Sequence, residues 1–125
     1  MGAKLLGAHM PTSGGGLGKA IRDGKAIGCT SVQVFTSSPQ QWRSKPVDDA
    51  MAADFRKALA ETGIDSVVCH DSYLINLASP KDELWQKSID AFTIELERAE
   101  ALGLIGVVMR PGSFVDSSEE AGLGR

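Results

Sequence analysis

The chain has 125 residues, 42% of them hydrophobic and 23% charged, with a net charge of −3, which describes one ordinary globular domain with a modest core. That charge argues against holding nucleic acid on a broad basic face, though a nuclease whose metal ions supply positive charge locally stays open. No apolar run approaches the ~18 residues of a membrane span and no signal peptide opens the chain, so a cytoplasmic protein with no membrane partner is expected.

The first apolar run is Leu5 to Met10, followed by a glycine-rich turn. Leu17, Ala20, Ile21 and Ile27 then recur at helical spacing up to Gly28. A second run, Val32 to Phe35, leads through a polar loop to Met51, Phe55, Ala58 and Leu59, a second helix that stops at Gly63. The third run, Val67 to His70, precedes the clearest helix. There Trp85, Ile89, Phe92, Leu96 and Ala99 follow steps of three and four, while Asp82, Glu83, Lys87, Asp90, Glu97 and Arg98 fall largely off that stripe. Gly103 ends it. The last run is Ile105 to Met109, after which Ser117 and Glu120 have capping-box spacing for a fourth helix, with Arg125 the final residue.

The four runs are short and lack clean alternation, which suits parallel strands buried on both faces. Strand and helix in turn predict right-handed crossovers, in an open doubly wound sheet or in part of a (β/α)8 barrel. A complete barrel takes about 250 residues, so these four strands amount to a parallel (βα)4 half of a TIM barrel.

Several motifs bear on chemistry. Cys29 and Cys69 stand 40 positions apart beside apolar runs and read as buried free thiols. The stretch from Ser13 to Ala20 sits where a phosphate-binding P-loop would, but Ser13 replaces the first glycine and Ala20 the hydroxyl residue. A tight glycine turn is the better reading. His9 and His70 each end a strand, where sites form in parallel α/β proteins. Asp71 and Ser72 follow His70, either as part of a site or as side chains building a turn. The loop from Ser37 to Arg43 offers two amides, an indole and a guanidinium; these suit nucleic acid, or else Trp42 simply covers a helix end.

Taken together, Gly7-Ala8-His9, Ser13-Gly14-Gly15, Phe35-Thr36, Gln41-Trp42-Arg43, His70 to Leu77, Pro111-Gly112-Ser113 and Ser118-Glu119-Glu120 resemble endonuclease IV, the zinc-dependent abasic-site endonuclease family. The likeness runs colinearly over nearly the whole chain. It implies one domain over residues 1–125, the N-terminal half of a barrel whose mouth carries a three-zinc cluster. In that family the cluster activates a water that cuts DNA 5′ to an abasic site. By match, His70 is a zinc ligand and His9 a pocket histidine outside the cluster. Gln40, Gln41 and Tyr73 match positions that contact or enter DNA at the lesion, and Asp71 and Arg110 complete the expected pocket.

Arg110 is a departure, because the family has a second zinc-ligating histidine there. A guanidinium has no lone pair to give a cation. It either grips phosphate directly or is a product of drift. The remaining family ligands lie in the other half of the barrel, so neither a full zinc cluster nor incision by this chain alone is expected. Two other functions stay in view. One is a sugar isomerase or epimerase of the same broad barrel group; the other is a non-enzymatic half-barrel that self-associates into a homo-oligomer through its open strand edges.

Overall fold

Runs too short for stable helices form four parallel strands, and the amphipathic segments between them return the chain each time to the same end of the sheet. In the computed structural model, which describes residues 4–43 and 45–125, the order is β1 (Gly7–His9), α1 (Gly16–Ala26), β2 (Ser31–Val34), α2 (Asp49–Thr62), β3 (Ser66–His70), α3 (Asp82–Leu102), β4 (Gly106–Val108) and α4 (Glu119–Leu123). The strands pair in sequence order, all parallel. This is the expected (βα)4 half-barrel arrangement. Among the described residues no helix is long and apolar enough to cross a membrane.

The helix boundaries follow local chemistry. Asp48 caps α2 by accepting from the Met51 amide at 2.7 Å, and Gly63 ends that helix in the left-handed conformation. Gly103 ends α3 in the same way. Gly14 and Gly16 sit at φ 81° and 76°, so the glycine run is a tight turn into α1. The fourth helix is capped one residue later than its spacing suggests. Ser118 accepts from the Ala121 amide, while Ser117 donates its hydroxyl back to the Phe114 carbonyl.

The core lies between one face of the sheet and the helices. Val32 and Val34 of β2 and Val67 and Cys69 of β3 pack against Leu17 and Ile21 of α1 and Phe55 of α2. Each such side chain removes roughly 1.5–3 kcal/mol worth of apolar surface from water. Cys29 and Cys69 are both buried and free, as expected, and burial pushes the Cys69 thiol up to about 12.

Two expectations need correction. The strands are not buried on both faces: β2 and β3 alternate, and all three residues of β1 are exposed. The helices cover one face of β2 and β3 only, and at the edge strand β1 even Ala8, in register with buried Val32, is exposed. β1 and β4 each pair along one side, with Leu5, Leu6 and Ile105 exposed beside them, the edges on which the expectation of self-association rests. The buried stripe of α3 also departs from the apolar one, sharing only Ala99 with it. Ser88, Glu95, Arg98, Ala99 and Leu102 face inward, whereas Leu96 is 47% exposed. Polar partners on the loop after β2 draw Glu95 and Arg98 inside.

Candidate functional site

Because side chains alternate along a strand, residues in register share a face. His9 pairs with Gln33, and Gln33 with Val68. Two residues further along, Phe35 follows Val34, the partner of Cys69, and so lies level with His70, which pairs with Val108. Arg110 continues the same parity beyond β4. His9, Phe35, His70 and Arg110 therefore gather at the carboxyl end of the sheet, on the face without helices.

Phe35 is the hub of this cluster. Its ring centroid lies 4.5 Å from that of His9, 5.8 Å from His70 and 5.4 Å from Tyr73, all edge-on. His70 and Tyr73 are 5.9 Å apart, and the Arg110 guanidinium stands over the Tyr73 ring at 5.6 Å. Edge-on and cation–π contacts at these distances are favourable and orient the rings.

The hydrogen bonds assign opposite tautomers to the two imidazoles. A side-chain amide nitrogen only donates, so His9 Nδ1 accepts from Gln33 Nε2 at 3.0 Å and neutral His9 carries its proton on Nε2. A main-chain carbonyl only accepts, so His70 Nδ1 donates to the Asp71 carbonyl at 2.8 Å and leaves a lone pair on Nε2. His9 is thus a donor and His70 an acceptor or ligand. Burial holds the His9 pKa below the usual histidine range, and the neighbouring charge of His70 adds to the effect.

Asp71 is 2% exposed. Its Oδ1 lies 3.5 Å from His70 Nδ1, and Oδ2 has no hydrogen-bond partner among the described residues. Burial, with a smaller push from Glu95, raises its pKa to about 6 against the pull of His70 and Arg110. The turn reading holds for Ser72 alone, whose hydroxyl accepts from the Leu74 amide at 3.2 Å.

The polar loop after β2 reaches the same rim. The Pro39 carbonyl accepts from the Tyr73 amide and from the Ser72 hydroxyl, both at 2.9 Å, which joins this loop to the one after β3. Gln40 and Gln41 are exposed, and their side chains form no hydrogen bond among the described residues. Trp42 is half-buried with Lys87 Nζ 4.6 Å from its ring, so it lies against the side of α3 and not over a helix end. Across the rim, Asn76 Oδ1 accepts from the Ser113 amide at 2.8 Å while its Nδ2 donates to the Ser113 carbonyl at 3.0 Å. Gly112 makes this possible. Its φ is 104°, and a β-carbon there would fall 2.2 Å from Asn76 Oδ1.

Sequence reasoning placed His9, His70, Asp71, Tyr73 and Arg110 in one region and missed Gln33 and Phe35. Counting two residues along β2 from the level of His9 would have found both. Among the described residues no three His, Cys, Asp or Glu side chains stand close enough to hold a metal ion. In this cluster His70 Nε2 is left with a lone pair that could serve one.

Comparison with known proteins gives a consistent picture. The family model described as "Xylose isomerase-like TIM barrel" matches residues 21–125. A probable endonuclease 4 from Chloroflexus aurantiacus is 48% identical over 120 residues, covering 96% of this chain and 42% of the relative. One from Trichlorobacter lovleyi is 46% identical with the same coverage. The crystal structure of endonuclease IV from Thermus thermophilus superposes with a TM-score of 0.79 at 34% identity, over 91% of this chain and 41% of that one. The chain thus spans about two fifths of the length of the curated relatives it matches.

Proposed function

This chain belongs to the xylose isomerase-like TIM barrel family, and we propose that its rim is the DNA-reading part of an endonuclease IV-like site acting at abasic positions. The observation that carries this reading is the junction at Pro39. It sets the loop of Gln40 and Gln41 directly against the loop of Tyr73, whose ring lies 5.9 Å from the His70 imidazole. The relatives named probable endonuclease 4 favour it over a sugar isomerase.

Each group has a chemical task in this reading. Tyr73, 55% exposed, offers a ring on which a base or an unpaired sugar gap can stack. Gln40 and Gln41 present free amides to base edges or phosphate oxygens. His9 Nε2–H and the permanent charge of Arg110 are donors for a phosphodiester. Neutral His70 offers a lone pair to a metal.

Zinc, where such a site holds it, supplies an activated water. A catalytic zinc normally takes about three protein ligands, and among the described residues no three candidate side chains stand together to supply them. The donor set of the described residues does not fit a three-zinc cluster, and no hydrolytic step is assigned to them. Recognition is the part they are equipped to perform.

The test uses one labelled duplex carrying a tetrahydrofuran abasic analogue and an intact control. The 125-residue protein should prefer the abasic duplex in fluorescence anisotropy, yet show no chelator-sensitive incision, even after Arg110→His. Equal affinity for both duplexes would remove the DNA-reading proposal. Zinc-dependent incision would show that the ligand count is wrong.

A further inference from the structure

Two charged side chains of α3 lie inside the protein. Glu95 is 4% exposed and Arg98 6%, on a helix whose apolar Leu96 faces solvent between them. Glu95 Oε1 accepts from the Ser37 hydroxyl at 2.7 Å, and Oε2 from the Thr36 hydroxyl at 2.9 Å. Arg98 Nε donates to the same Thr36 hydroxyl at 3.3 Å. Its two terminal nitrogens donate to the main-chain carbonyls of Thr36 and Lys45. Thr36 Oγ1 thus stands between the two charges, donating to one and accepting from the other.

Every one of these contacts falls on the loop between β2 and α2. Thr36 and Ser37 are near its start and Lys45 is near its far end, so the pair grips the loop at both limbs. Between the grips, Pro39 is tied to Ser72 and Tyr73, and the side chains of Gln40 and Gln41 project without hydrogen-bond partners among the described residues. A buried charge pair is seldom more stabilising than well-packed apolar residues of the same volume. What it supplies here is geometry, since a guanidinium is a rigid planar fork with its donors on separate nitrogens, whereas an ammonium's donors share one freely rotating nitrogen.

We propose that Glu95 and Arg98 are positioning residues: from the outer helix layer they fix the β2–α2 loop so that Gln40 and Gln41 are presented to nucleic acid beside Tyr73. The proposal rests on the DNA reading above. Neither residue touches the nucleic acid; both act through the loop residues Thr36, Ser37 and Lys45.

Trp42, in the same loop, reports its position independently of DNA. With Trp85→Phe as the parent background, Trp42 is the sole indole. Into that parent go Glu95→Leu and Arg98→Met together, an apolar pair chosen to preserve packing. Acrylamide quenching of Trp42 and anisotropy of the abasic-analogue duplex over a potassium chloride series are then measured. The expected result is a folded protein with stronger Trp42 quenching and a duplex affinity reduced about five- to tenfold, the scale of re-ordering two side chains on binding. The salt slope should not change, because no phosphate-contacting charge is lost. If the apolar pair does not fold, Arg98→Lys keeps the charge, loses the fork and should move both readouts the same way. A folded variant with the parent's Trp42 quenching overturns the proposal, whatever its affinity. Stronger quenching with undiminished affinity overturns the presenting role. A parent that binds no duplex refutes the DNA reading itself, while Trp42 quenching still decides whether the pair holds the loop.

Discussion

The rim segments that follow β2 and β4 carry comparable chemistry but are built differently. The first, which bears Gln40 and Gln41, is held at both limbs by buried Glu95 and Arg98 and in the middle by Ser72 and Tyr73. The second, which bears Arg110, is exposed from Met109 to Asp116 and tied back chiefly through Asn76. Strand β2 lies between two others, whereas β4 is paired on one side only. A loop flanked by packed elements gains buried anchors with no water to compete for them. A loop beyond an edge strand relies on hydrogen bonds that water can replace, and is expected to open locally at lower cost.

Substitutions at the anchors would break or sharpen this contrast. The largest effect is expected at the anchored segment. Glu95→Ala leaves the Arg98 charge buried without its counter-charge, and should cost on the order of 3 kcal/mol in urea unfolding. A loss under about 1 kcal/mol would mean that solvent reaches the pair and that the two segments are equally loose. An intermediate effect belongs to the exposed segment. Asn76→Ala removes the bonds to Ser113 and the one to the Ala78 amide, with an expected cost of about 1–2 kcal/mol because water can substitute for part of them. Amide exchange of Ser113 should accelerate while that of Tyr73, bonded to Pro39, stays slow. Acceleration at both would show that the segments open together. The smallest change is at Arg110, whose guanidinium stands over the Tyr73 ring. Arg110→Ala should shift the unfolding free energy by less than ~0.5 kcal/mol. If Arg110 meets phosphate, the same substitution lowers the salt slope of duplex binding by about one. An unchanged slope would assign it no phosphate.

Much of this arrangement was legible in one dimension. Apolar runs punctuated by Gly28, Gly63 and Gly103 specify strands and helix ends through local rules of burial and backbone conformation, and the fold follows that order. Parallel pairing then brings every strand's carboxyl end to one side, so His9, His70 and Arg110 had to share a rim. Residue identity also fixed what Arg110 is unable to do, since a guanidinium lacks a donor lone pair.

Tertiary structure decided the rest. Helical periodicity put Leu96 inward and Arg98 outward, and the reverse is observed. Hydropathy records a side chain's own preference for water, not the partners that wait for it across the fold. The carbonyls of Thr36 and Lys45 and the hydroxyls of Thr36 and Ser37 lie more than fifty residues from the charges they satisfy. Only when the β2–α2 loop folds over α3 do those groups meet, and burial of Glu95 and Arg98 then becomes affordable because their hydrogen bonds are made. The tautomers of His9 and His70 were hidden for the same reason. Each depends on one neighbour, the Gln33 amide for the first and the Asp71 carbonyl for the second, whose position no spacing rule supplies.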